Sequence, residues 1–280
     1  MTSPPVLLAD IIDVLQQAYP PALAQSWDTA IGLTCGDPSV AVTKVLLAVD
    51  VDSATVGEAI DSGAGLLLTH HPLLFAPVQS VAADTEKGAL IHQLIRAGVA
   101  HFAAHTNADS AAGGVNDALA QALGLREICP LQPSPDLEDL SVRDTVGMGR
   151  TGFLATPVTM QQLVEVVARV LPACAGGVNG TGDPARLVHK VAVCGGSGSS
   201  LLGRAAEVDA DVFLTSDVSH HLSAEYVAVP GNPALITVAH WAGEWPWLPL
   251  ASRVLTEAFP GRLEVCVSTL RTDAWTIHQA

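Results

Sequence analysis

The 280 residues suffice for one large domain or two modest ones, and 49% hydrophobic against 15% charged residues supplies a packed core rather than a disordered chain. Twenty-eight acidic against 13 basic residues leave a formal net charge of −15; such a surface repels phosphate backbones and anionic membranes, excludes a broad nucleic-acid-binding face, and favours divalent cations. No apolar run reaches the ~18 residues of a membrane span, MTSPPVLLAD lacks the features of a secretory signal, and five scattered cysteines (35, 129, 174, 194, 266) without a CxxC pair are expected as reduced thiols of a cytoplasmic protein.

KVLLAVDV (44–51) is a compact apolar run and predicts a strand buried on both faces. SATVGEAIDSG (53–63) predicts a helix stopped by Gly63, GLLLTHH (65–71) a strand, ALIHQLIRAG (89–98) a helix, VAHFAAHT (99–106) a strand and VNDALAQALG (115–124) a helix. This alternation predicts a parallel sheet and an α/β fold. Over 126–146 the chain turns proline-rich and acidic, which predicts a linker or extended crossing and a domain boundary near 126. A second unit follows: a strand in GRTGFLATPV (149–158), a helix in MQQLVEVVARVL (160–171), a glycine loop over 174–185 and a strand in KVAVCGG (190–196). GSGSSLLGRAAEV (196–208) opens a helix, DVFLTSD (211–217) and ALITVAHW (234–241) are strands, LPLASRVLTEAF (248–259) is a helix and RLEVCVST (262–269) a closing strand. EAIDSGAGLLLTHH (58–71) and AAEVDADVFLTSDVSHH (205–221) share one order of elements, a faint echo between two α/β units.

The histidines gather at one kind of place. His70, His71, His105, His220, His221 and His240 fall at or just after the C-terminal ends of predicted strands, with Asp50, Asp109, Asp217 and Glu244 beside them, and that edge of an open α/β sheet is where ligands sit. In His70-His71-Pro72 the proline keeps His71 extended. Extended neighbours point to opposite sides, so the two imidazoles are expected to serve two ions side by side rather than share one. Asp109 is a candidate carboxylate ligand, with His105 or Asn107 as supporting or substrate contacts; turn hydrogen bonds are the alternative. Trp245 precedes Pro246, which predicts a helix start at Pro246 and leaves His240 at a strand end, not on a common helical face with Glu244. Three neutral imidazoles (His70, His71, His240) and two carboxylates (Asp109, Glu244) supply about −2 to two divalent ions. The balance suits a hydrolytic dinuclear centre with ions ~3.5–4 Å apart, and the mixed N/O donors suit Zn²⁺, Mn²⁺, Fe²⁺ or Ni²⁺ better than Ca²⁺.

Two other motifs carry open alternatives. CGGSGSS (194–200) resembles a phosphate-cradling turn, but it lacks the G-x-G-x-x-G order and a P-loop lysine, and a tight turn of small residues is the plainer reading. Trp241, Trp245 and Trp247 read as core or subunit-interface packing, with stacking on a purine as the alternative.

SWDTAIGLTCGD (26–37), LLLTHHPLLF (66–75), HTNADSAAGGVNDALA (105–120), VAVCGGSGSSLL (191–202), DVFLTSDVSHH (211–221) and AHWAGE (239–244) together resemble the family of GTP cyclohydrolase I type 2 homologues, also called the Ngg-interacting-factor-like family. The resemblance implies two α/β domains with mixed or parallel sheets, the first formed by both chain ends (1–125 with 240–280) and the second by 126–239. It implies a toroidal homohexamer with metal sites facing the interior, and two divalent ions per subunit on His70, His71, Asp109, His240 and Glu244, with Glu244 bridging. His105 and His221 are then catalytic candidates for proton transfer or substrate contact. Longer members carry an inserted domain for which 126–190 is too short. The chain departs from the family where Trp27-Asp28 reaches Gly32 with one residue more than usual, and where Gly243 replaces a common threonine. The family name implies ring C–N hydrolysis of a small-molecule, nucleotide substrate; the competing expectation is a metal-binding regulatory or adaptor protein without turnover.

Overall fold

The computed structural model describes residues 4–134 and 145–279. The chain divides into two α/β units, unit 1 from 1–108 and 248–272, unit 2 from 109–247 and 273–280.

In unit 1 the apolar runs become adjacent strands. β1 (Gly32–Cys35), β2 (Lys44–Ala48), β3 (Leu66–Thr69), β4 (Ala100–Ala103) and β11 (Glu264–Val267) form one sheet in the order β1-β4-β3-β2-β11. β1 is antiparallel to β4 and every other pairing is parallel. Leu66, Leu67 and Leu68 are wholly buried, as a run covered on both faces requires. Each contributes about 1.5–3 kcal/mol through burial. Helix α1 (Leu8–Ala18) buries Leu8, Ile11 and Leu15. Helix α2 (Ser53–Asp61) starts at Asp52, whose Oδ1 accepts from the N–H groups of Ala54 and Thr55 at 2.9 Å each. Helix α3 (Glu86–Ala97) is capped by Thr85 and ends at Gly98 in the left-handed region. The apolar faces of α2 and α3 meet β2 and β3 in a core that includes Val56, Ala59, Leu67, Leu90 and Leu94.

Unit 2 is built on a mixed sheet in the order β5-β6-β8-β9-β10-β7, from β5 (Arg126–Pro133), β6 (Gly147–Thr159), β7 (Asn179–Gly180), β8 (Leu187–Ser197), β9 (Val212–Ser216) and β10 (Ala234–Thr237). The central strands β8, β9 and β10 are parallel, and β5, β6 and β7 join antiparallel. The expected boundary at 126 moves to 109 for a packing reason. Leu119 and Ala120 of helix α5 (Val115–Ala122), with Leu123 and Leu125, fill a core against Leu163 and Val167 of helix α6 (Met160–Val170) and Val191, Leu214 and Ile236 of the sheet. The second crossing likewise falls at 247/248 rather than 240. The stretch expected as a linker is, over 126–133, strand β5 paired with β6; 135–144 lie outside the described residues. Among the described residues no helix is long and apolar enough to cross a membrane.

Candidate metal centre

In unit 1, β3 and β4 run parallel with Thr69 opposite Ala103, so the residues that follow them leave the same edge of the sheet. His70 Nδ1 lies 2.9 Å from the carbonyl oxygen of Ala104. A carbonyl can only accept, so Nδ1 carries the proton and Nε2 the lone pair. His71 Nδ1 donates to Asp50 Oδ1 at 2.6 Å, and the other Asp50 oxygen accepts from the Thr272 hydroxyl. His105 Nδ1 donates to Asp28 Oδ2 at 2.9 Å, and the same oxygen accepts from the Thr106 N–H at 3.1 Å and hydroxyl at 2.6 Å. Burial pushes the Asp28 carboxyl up, but hydrogen bonds from His105 and Thr106 and the charge of His105 outweigh it and hold it well below the usual range.

The three imidazoles each bring a ligand atom within 4.8 Å of the others, and the His70 and His71 ring centroids stand 5.0 Å apart. The expected splaying of His70 from His71 does not hold. The strand ends at Thr69, whose hydroxyl donates to the His71 carbonyl at 2.6 Å, so extended-chain alternation stops before the pair. Asn107 donates from Nδ2 to the Tyr19 carbonyl at 2.7 Å, a bond that ties helix α1's end to this edge.

In unit 2, His240 and Glu244 occupy the two ends of the one-turn helix α9 (His240–Glu244), with His240 Nε2 2.8 Å from Glu244 Oε1. This corrects the expectation drawn from Pro246. Trp245 takes φ −51° and ψ −35° despite the following proline, and its N–H donates to the Trp241 carbonyl at 2.9 Å, so the helical turn closes and puts the pair on one face. His240 Nδ1 donates to Asp217 Oδ2 at 2.5 Å. Asp217 directly follows β9 with φ 55°, a backbone region that aspartate tolerates better than most residues.

The glycine turn after β8 is shaped by this pair. A Cβ at Gly196 (φ +67°) would fall 2.3 Å from Glu244 Oε1 and 3.0 Å from His240 Nε2, and one at Gly195 would fall 2.8 Å from Val115 Cγ1. Close packing against His240 and Glu244 thus accounts for Gly196, and packing against Val115 for Gly195. Asp109 sits on helix α4 (Thr106–Ser110), and its carbonyl accepts from Asn116 Nδ2 at 3.0 Å while Asn116 Oδ1 accepts from the Gly195 N–H at 2.9 Å. Buried Arg150 closes the loop between α4 and α5, donating from Nε to Asp117 Oδ1 at 2.6 Å and from Nη2 to the Ala111 carbonyl at 2.9 Å. His221 lies exposed on the helix His220–Ala228, its ring 5.4 Å from that of His220, and is not part of the His240–Glu244 pair. Trp241 and Trp247 are buried in the core, while Trp245 is half-buried with its ring 6.5 Å from that of Trp241.

Asp50 and Asp217 were legible as acids beside the strand ends, but not as the groups that orient His71 and His240. Asp28 gave no signal beyond its place in the Trp27-Asp28 motif. The residues fit a divalent cation on the chemistry of the donors. Four histidines have Nδ1 fixed by a carboxylate or a carbonyl, the arrangement that prepares Nε2 for a metal.

The folds and donors define a two-unit α/β protein with candidate metal-ligand groups. The chain belongs to the Duf34/NIF3 (NGG1p interacting factor 3) family, which it matches over residues 6–274. It is 44% identical to a Streptomyces coelicolor protein named GTP cyclohydrolase 1 type 2 homolog, over 98% of this chain and 95% of that protein. A Mycobacterium bovis protein of the same name is 37% identical, with 97% of each chain covered. The crystal structure of a Bacillus cereus protein related to NIF3 superposes with a TM-score of 0.87 at 25% identity, covering 98% of this chain and 99% of that one.

Proposed function

We propose that the protein is a hydrolase dependent on two divalent cations (Zn²⁺, Mn²⁺, Fe²⁺ or Ni²⁺), which His70, His71, Asp109, His240 and Glu244 would hold. The observation that carries this reading is the fixed Nδ1 of His70, His71 and His240. When bound, such a pair of cations supplies Lewis acidity and lowers the pKa of water. The chain's own part is positional and protolytic. Asp50, Asp217 and the Ala104 carbonyl set the imidazole tautomers. His105, held by Asp28, is the candidate to move a proton at Nε2, because the carboxylate at Nδ1 stabilises the imidazolium that forms. His221, exposed on its helix, has no such support. The names of the relatives favour a small-molecule, nucleotide substrate and GTP cyclohydrolase-type ring C–N hydrolysis. We take the working form to be a cytoplasmic homohexamer.

The test is turnover. Protein loaded with each metal is assayed on GTP, other nucleotides and generic phosphodiesters. Metal-dependent hydrolysis that disappears in Glu244→Gln supports the reading. The family's description as an interacting factor favours a second one, a metal-binding regulatory or adaptor protein; tight capture of a defined partner, with no turnover of any substrate, selects it.

A further inference from the structure

Trp27 and Phe75 are each 61% exposed, although large aromatic side chains are ordinarily drawn into a core. Both belong to unit 1 and both stand against His105. The Trp27 and Phe75 ring centroids are 6.2 Å apart at 44°, and each ring meets the His105 imidazole edge-on, at 6.1 Å and 76° for Trp27 and 5.7 Å and 75° for Phe75. The three rings are thus a closed triangle, too tight for a guest between them but open on its outer faces.

This triangle is held in place before any ligand arrives. Asp28, the residue next to Trp27, is anchored by His105 and both donors of Thr106, its own N–H donates to the Gln25 carbonyl at 2.8 Å, and the Gln25 N–H donates to Thr106 Oγ1 at 3.0 Å. Leu73, wholly buried, anchors the segment that leads to Phe75. Rigid, exposed aromatic faces bind at low entropic cost. Their neighbours decide what fits. His70 and His71 lie 5.2 and 5.7 Å from His105, centroid to centroid, so the apolar faces border a set of polar imidazoles. A ligand complementary to that border is flat and π-rich on its face and polar at its edge. An aliphatic protein surface would match the indole but not the imidazoles.

We propose that Trp27 and Phe75 form a stacking shelf for a planar heteroaromatic ring, set beside His105 so that the ring's polar edge meets the imidazoles. This deepens the hydrolase reading and rests on it for the identity of the reaction, since it names the substrate class of the same donors. Base-on-aromatic stacking is sequence-tolerant and strong enough that loss of one ring costs on the order of ten-fold or more in affinity.

The experiment is calorimetric titration of the full-length, Zn²⁺-loaded protein and its EDTA-treated form with three probes: GMP, free hypoxanthine and ribose 5-phosphate. Metal content and light-scattering mass are read on the same samples. The proposal expects GMP to bind and ribose 5-phosphate to bind at least ten-fold more weakly. It expects Trp27→Leu and Phe75→Leu to lose about ten-fold or more of the GMP affinity with metal content unchanged, and Trp27→Phe to stay within about three-fold of wild type. Hypoxanthine binding alongside GMP shows that the ring alone suffices; GMP alone shows that ring and phosphate act together, and both support the shelf. Equal affinity for ribose 5-phosphate, no binding of either ring, or unchanged GMP affinity in Trp27→Leu overturns it. So does a fall in assembly mass of Trp27→Leu with binding intact, which would make the face a contact between copies. Ring binding that depends on Trp27 in a protein that retains no metal leaves the shelf standing and removes the hydrolase reading; two retained ions without ring binding does the reverse.

Discussion

Each candidate histidine ligand is prepared by one acceptor at Nδ1, and that acceptor is where the site is most open to test. Asp217→Asn keeps a residue that accepts the positive φ of 55° but replaces the carboxylate that holds His240. It is expected to lower metal affinity by about 10–100-fold with little change in thermal stability; competition against a chelator of known affinity measures the first, thermal melting the second. An unchanged affinity would show that the Asp217–His240 bond plays no part. Gly196 gives a complementary expectation. An alanine there meets both an unfavourable φ and the Glu244 carboxylate, and is expected to cost about 1–3 kcal/mol in a denaturant titration. At this scale the candidate donor types, histidines and acids at strand ends, were plain in the sequence. It hid the orienting acids, because whether Asp28 reaches His105 depends on two residues 77 positions apart.

At the scale of elements, the strand ends deliver the histidines, and β3 and β4 are tied by a buried pair. The Thr69 hydroxyl donates to the His71 carbonyl, so the 2.8 Å contact with His101 Nε2 is donated by the ring, which leaves Nδ1 as the deprotonated nitrogen. Burial, assisted by the charge of Lys87, lowers the His101 pKa from 6.5 to about 4. The unfolded chain therefore binds this proton first as pH falls. The stabilisation is present above pH 6.5 and drains away between 6.5 and about 4, amounting to about 2 kcal/mol by pH 5. Denaturant titrations at pH 7.5 and pH 5 are expected to show His101→Leu losing about that much less stability than wild type across the interval; equal losses would refute the assignment. Asp28 acts in a separate window. Its carboxyl is held below 3.8, so its contribution is lost only as pH falls below that value. The strands themselves were legible, because 44–48, 66–69 and 100–103 are short apolar runs between turn signals. Helix α9 was not, because a proline two residues past its end reads as a breaker although Trp245 keeps its helical conformation.

For the whole molecule, the family motifs suggested a discontinuous plan, and 248–272 do group with 1–108 in unit 1, whereas 273–280 group with unit 2. The position of the boundary was not, since nothing in 115–125 announces that Leu119, Ala120, Leu123 and Leu125 pack on the second sheet rather than the first. The proposed hexamer predicts a light-scattering mass about six times 28.9 kDa; a monodisperse monomer or dimer would contradict it.

The most direct test of the central claim is the number of divalent ions the chain retains. Wild-type protein, Glu244→Gln and His70→Ala are dialysed against micromolar Zn²⁺ or Mn²⁺, and metal per chain is read by inductively coupled plasma mass spectrometry. The account predicts two equivalents in wild type and a loss of at least one in each variant. A wild-type chain that retains none, or variants that hold as much metal as wild type, would contradict it.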